Sequence, residues 1–70
     1  MTVQIRTEWI RLDDCLKLAG VAETGGHAKV LIRQGRIRVN GETCTQRGKK
    51  LRPGDRVTLE DGRELEVVNS

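Results

Sequence analysis

Phenylalanine and tyrosine are absent from this 70-residue chain, and Trp9 is its only aromatic side chain. The core must therefore come from Leu, Ile, Val and Ala, and a binding mode that stacks successive bases on several aromatic platforms is argued against. Cysteine occurs twice, at Cys15 and Cys44, with no Cys-x-x-Cys pair and with His27 as the only imidazole. That is not a zinc pattern, so neither a metal nor any other cofactor is expected. No apolar run approaches the roughly 20 residues of a membrane span, and no apolar segment follows the N-terminus. The expectation is a cytoplasmic protein with free thiols, although a single Cys15 to Cys44 disulfide stays open. A chain this short buries only about 60% of its unfolded surface. One domain over residues 1–70 is expected, with no room for a deep catalytic cleft.

Acidic side chains are scarce where basic ones gather. From Thr24 to Gly41 there is none, and residues 24–52 hold eight basic side chains against Glu42 alone. The flanking segments 1–23 and 53–70 are each net acidic. Segregating positive charge costs self-repulsion unless an anionic partner uses it, and a nucleic-acid backbone is the common one. The competing reading is a solvated basic face.

Val3 and Ile5 alternate with polar residues as in a short edge strand. Trp9 and Ile10 follow in a connection, with Trp9 read as a core plug or lid in preference to a lone stacking platform. Leu12, Cys15, Leu16 and Ala19 fall at i, i+3, i+4 and i+7, which predicts an amphipathic helix over Arg11 to Ala19 with Asp13 and Asp14 facing away. Gly20 ends it. Cys15 then lies on the buried stripe, a small core residue with no base beside it.

Thr24 is a suitable N-cap for a second helix, whose inner stripe is Ala28, Leu31, Ile32 and Gly35. The outer face carries His27, Lys29, Arg33 and Gln34 around Val30 and is the best candidate ligand surface. Gly25 and Gly26 are poor helix formers at the first positions. Either they let a phosphate approach the free N–H groups of the first turn, or they are ordinary loop composition. Beyond Gly35, the residues Arg36, Ile37, Arg38, Val39 and Asn40 alternate as a strand with a basic outer face, and Asn40-Gly41 is a tight-turn signal. Arg47, Lys49 and Lys50 extend the positive patch on a loop or irregular strand. Pro53-Gly54 marks a turn, and Val57 to Val67 reads as an acidic hairpin with a two-residue Asp61-Gly62 turn, placed away from the basic surface. The whole is an α+β unit of two helices on a small, mainly antiparallel sheet.

Taken together, Arg11-Leu12-Asp13, Gly20, Thr24, Ala28-Lys29 leading to Leu31-Ile32, Gly35, Ile37, Val39-Asn40-Gly41, Lys49-Lys50-Leu51 and Pro53-Gly54-Asp55 resemble the RNA-binding domain named after ribosomal small-subunit protein four. The likeness covers about residues 11–57, and the terminal strands fit its short stand-alone bacterial members of the YbcJ type. The resemblance implies a two-helix alpha-L motif whose RNA surface lies on the second helix and the adjoining hairpin loops. It puts Thr24, Lys29, Asn40 and Lys49 at motif positions, with His27, Arg33, Arg36, Arg47 and Lys50 on the same surface. Arg11, Gly25, Gly26 and Arg38 complete the candidate set. Thr24-Gly25 stands where many members have Ser-Arg, so a phosphate-binding arginine is missing, and Gly26-His27 replaces a frequent Ser-Gln.

The expected function is non-enzymatic binding of structured RNA, ribosomal or tRNA-like, by a monomer without membrane or small-molecule partners. Asp13-Asp14 are adjacent on a helix and do not converge as a catalytic acid/base pair. The rival is an adaptor whose basic face docks an acidic protein.

Overall fold

The hydrophobic periods of the chain become two layers that share one core. The computed structural model describes residues 1–70. In chain order the elements are β1 (Thr2–Ile5), β2 (Ile10–Arg11), α1 (Leu12–Leu18), α2 (Gly25–Arg33), β3 (Arg38–Val39), β4 (Glu42–Thr43), β5 (Lys50–Leu51), β6 (Arg56–Thr58) and β7 (Glu64–Asn69). Five strands form one sheet in the order β1-β7-β6-β3-β4, antiparallel throughout except for β1, which lies parallel to β7 at the edge. β2 and β5 pair separately, Ile10 with Leu51 and Arg11 with Lys50.

Both helices are bounded by local chemistry. The N–H of His27 donates to Thr24 Oγ1 at 3.0 Å, which caps α2 as its sequence suggests. α1 has no side-chain cap; its first N–H groups, from Leu12 and Asp13, donate instead to the carbonyls of Lys49 and Arg47 at 2.8 and 3.1 Å. Each helix ends in paired bonds around a left-handed glycine. Gly20 donates to Lys17 and Val21 to Leu16; Gly35 donates to Ile32 and Arg36 to Leu31. With φ of 77° and 74° at Gly20 and Gly35, a side chain there would be strained.

Leu12, Cys15, Leu16, Ala22, Ala28 and Ile32 bury the inner faces of the helical layer against Val3, Ile5, Ile37, Val39, Leu51, Val57, Leu59, Leu65 and Val67 of the strands and their flanks. Truncating a fully buried member such as Leu65 to Ala would cost about 2 to 5 kcal/mol. Cys15 is fully buried and its thiol is pushed up to about 11 by that burial, and both cysteines are free.

Several expectations are corrected. Asp13 faces inward and is buried, because two arginines neutralise it there. Trp9 is not a core plug: it is 38% exposed, with the Lys50 ammonium 4.7 Å from its ring centroid. The strand expected from Arg36 to Asn40 is regular only at Arg38–Val39, since Arg36 still belongs to the α2 stop. The last hairpin turns through Glu60, Asp61 and Gly62: Leu59 N–H donates to Arg63 and Gly62 N–H to Leu59, with Gly62 at φ 91°. This is a three-residue loop with a left-handed glycine, a geometry that the Asp-Gly pair also suits. Nor does the acidic hairpin keep its distance, for Glu60 bonds Arg36 at 3.1 Å.

Candidate nucleic-acid interface

The β2 to β5 pairing sets Arg11 opposite Lys50 and draws the loop 44–49 against the start of α1. At that junction Asp13 holds two arginines. Its Oδ1 accepts from Arg11 Nε at 3.1 Å and from the N–H of Asp14 at 2.9 Å; its Oδ2 accepts from Arg11 Nη2 at 3.2 Å and Arg47 Nε at 3.0 Å. Burial acts to raise the Asp13 pKa, but the hydrogen bonds from Arg47, Arg11 and the Asp14 N–H together outweigh it and hold the carboxyl below its ordinary value. The carboxylate is only 5% exposed, whereas the arginine side chains remain 45% and 42% exposed.

The cluster sits at the start of α2. Arg47 Nη2 lies 3.9 Å from where a Cβ on Gly25 would stand, and Arg11 Nη2 lies 3.6 Å from the equivalent point on Gly48. The N–H groups of Gly25 and Gly26 have no partner within the protein, Thr24 being occupied by His27 and Ala28. His27 Nδ1 accepts from the Glu23 N–H at 3.3 Å, which makes Nε2 the protonated, outward-donating nitrogen of the neutral ring. Further along the helix, Lys29 is half-buried, Arg33 is exposed and Val30 is 50% exposed between them.

Arg11, Gly25, Gly26, Arg47 and the backbone of Lys49 and Lys50 are thus gathered at one junction, with Thr24, His27, Lys29 and Arg33 following along α2. Lys29, Arg33, Arg38, Lys49 and Lys50 carry no ion pair. Other candidates have partners of their own. Arg36 is engaged by Glu60; it lines one groove with Arg38, Gln34 and Thr58 and another with His27 and Leu31 of α2. Asn40 is architectural: its Oδ1 accepts from the Arg56 N–H at 2.9 Å and its Nδ2 donates to Asp55 Oδ1 at 3.1 Å. Pattern reading missed that Asp13 bonds both arginines and that Trp9 lies against Lys50. No group of three or more His, Cys, Asp or Glu side chains is placed to hold a metal, and no helix is long and apolar enough to cross a membrane.

Comparison with known proteins joins this geometry to a family. The profile of the S4 domain matches residues 3–68. The chain is 42% identical over 67 residues to the "probable ribosome maturation protein RlbA" of Bacillus subtilis strain 168, covering 96% of this chain and 94% of that one. It is 38% identical over 64 residues to the small ribosomal subunit protein uS4 of Anaeromyxobacter sp. strain K, where it spans only 30% of the relative. The solution structure of YbcJ from Escherichia coli, described as revealing an alpha-L motif involved in RNA-binding, superimposes with a TM-score of 0.71 at 32% identity, over 96% of this chain and 85% of that one.

Proposed function

The chain belongs to the S4 domain family, and from that premise we propose that residues 1–70 form one non-enzymatic, monomeric, cytoplasmic unit that binds structured RNA. Ribosomal RNA is the target we favour, since a relative matched over nearly its whole length is named for ribosome maturation. The observation that carries the reading is the pair Arg11 and Arg47, held at Asp13 with Arg47 beside Gly25 at the open start of α2, with Lys29 and Arg33 further along that helix. Lys29 and Arg33 have no acidic partner and can exchange their counterions for phosphates, Arg11 and Arg47 keep donors that Asp13 does not use, and a helix start with two free N–H groups favours an anion. The missing aromatics leave charge and shape, not base stacking, as the means of recognition.

Salt titration of binding to a labelled rRNA helix tests this. With about four to six phosphate contacts, the log-log slope of affinity against salt should be about −3 to −5. Lys29→Ala with Arg33→Ala should weaken binding by about 1 to 3 kcal/mol. Arg56→Ala with Arg63→Ala removes the same formal charge from side chains that already face Glu66 and Asp61, and should change it little. Equal losses would refute a localised surface. Tight binding to a polyacidic protein with weak binding to RNA would replace the reading with that of an adaptor.

A further inference from the structure

Asp13 is the only charged residue that the fold buries, and nothing in charge-driven binding calls for an anion in the middle of a basic surface. We propose that Asp13 is a positioning residue, which holds the guanidinium groups of Arg11 and Arg47 side by side as a preformed clamp for an RNA phosphate. The inference rests on the RNA-binding reading.

The bonding pattern supports it. Arg11 is gripped through Nε and Nη2, and Arg47 through Nε alone. Nη1 of Arg11 and both terminal nitrogens of Arg47 are left without a protein partner and can donate outward. A guanidinium gripped on one edge presents its remaining donors in a fixed plane, the geometry that suits a phosphate. Two adjacent cations would repel each other without the carboxylate between them. Fixing both side chains in the free protein removes rotamer freedom that would otherwise be lost on binding. Asp13 reaches Arg47 across 34 positions of sequence, so α1 sets where the loop cation stands. Gly25 leaves the space beside Arg47 Nη2 open.

The alternative is a brace that joins α1 to the loop and has no part in binding. The two differ in sign. Asp13→Asn raises net charge by one, which by charge alone strengthens attraction to a polyanion; loss of positioning weakens binding instead. The experiment is fluorescence anisotropy of the full chain on a labelled RNA hairpin carrying an internal bulge, at several salt concentrations, with circular dichroism on each variant. Asp13→Asn should lower affinity by about tenfold and reduce the steepness of the salt slope by about one to two. In an Arg47→Ala background the same substitution should have a clearly smaller effect, because the two act together. Equal or tighter binding by Asp13→Asn overturns the inference, as does an undiminished effect in the Arg47→Ala background. Should Asp13→Asn fail to fold, Arg47→Lys carries the test: it keeps the charge and loses the fork, so binding should fall as far as in Arg47→Ala, and unchanged affinity overturns the proposal. Failure of the unaltered chain to bind the hairpin sinks the RNA reading itself and the clamp with it, an outcome distinct from failure of the variants alone.

Discussion

Asn40 and Asp55 face each other across two turns, Nδ2 donating to Oδ1 at 3.1 Å, while Asp55 Oδ2 accepts the Arg52 N–H at 2.8 Å. The contact links the tip of the β3 to β4 hairpin to the turn that leads into β6. Asn40 sits at φ 51°, a left-handed conformation that Asn tolerates better than most residues. Asn40→Ala should lose both side-chain bonds and strain the turn, costing about 1 to 3 kcal/mol in thermal or urea unfolding. The folded variant should bind RNA as well as the unaltered chain. Lost binding at unchanged stability would make Asn40 a contact residue instead.

Acid should destabilise the protein through Asp13. Its folded pKa is lowered, so its contribution to stability is complete above the ordinary value of 3.8. That contribution is lost as pH falls through the folded value, because the unfolded chain takes up the proton first. Urea midpoints measured from pH 6 down to pH 2 should fall along this limb, and Asp13→Asn should flatten it. A curve of identical shape in the variant would show that the buried ion cluster does not govern acid stability.

Removing the α2 cap should be visible without any RNA. Thr24→Ala leaves the His27 N–H without its protein acceptor, and losses of this kind are about 1 kcal/mol. In a domain of this size that corresponds to a melting temperature lower by about 4 to 8 °C. Thr24→Ser should restore most of it, and an unchanged melting temperature in Thr24→Ala would mean that the cap is energetically idle.

The two thiols should separate by reactivity. Cys15 is fully buried with its pKa at about 11, whereas Cys44 is half-buried beside the carbonyl of Gln46. An aromatic disulfide reagent at pH 8 should titrate one thiol promptly in the native protein and both in urea. Prompt reaction of both in buffer would contradict the closed helical layer around Cys15.

The α2 region was legible because its signals are local. Thr24 at the cap, the stop at Gly35 and the Asn40-Gly41 turn depend on neighbours within a few residues, and the alternation of Leu65 and Val67 with glutamates marks a half-buried strand. Asp13 was not legible for the opposite reason. A helical wheel turns a carboxylate outward, and the Arg47 that reverses this arrives from a loop much later in the chain. Trp9 was misread likewise, since its partner Lys50 is supplied by β5 and not by adjacent sequence. Glu60 meets Arg36 because the last hairpin packs back toward α2, a tertiary outcome that charge counting along the chain places elsewhere. Of the candidate surface, composition identified the cations but could not tell Arg47, held by the buried Asp13 beside Gly25, from Arg36, bonded to the exposed Glu60.

The parallel edge pair bears on when this fold can form. Thr2 is registered with Glu66 and Ile5 with Asn69, so Val3 and Ile5, which precede every other element, have no sheet partner until β7 has been made. Closing that distance costs loop entropy before any contact is gained, which places the pairing late in folding. A ribosome stalled just before Glu64 would hold a nascent chain whose helices can form while its sheet stays open at β6. Acquisition of the closed core is therefore expected to coincide with emergence of the last strand, as a single late event and not as stepwise growth from the N-terminus.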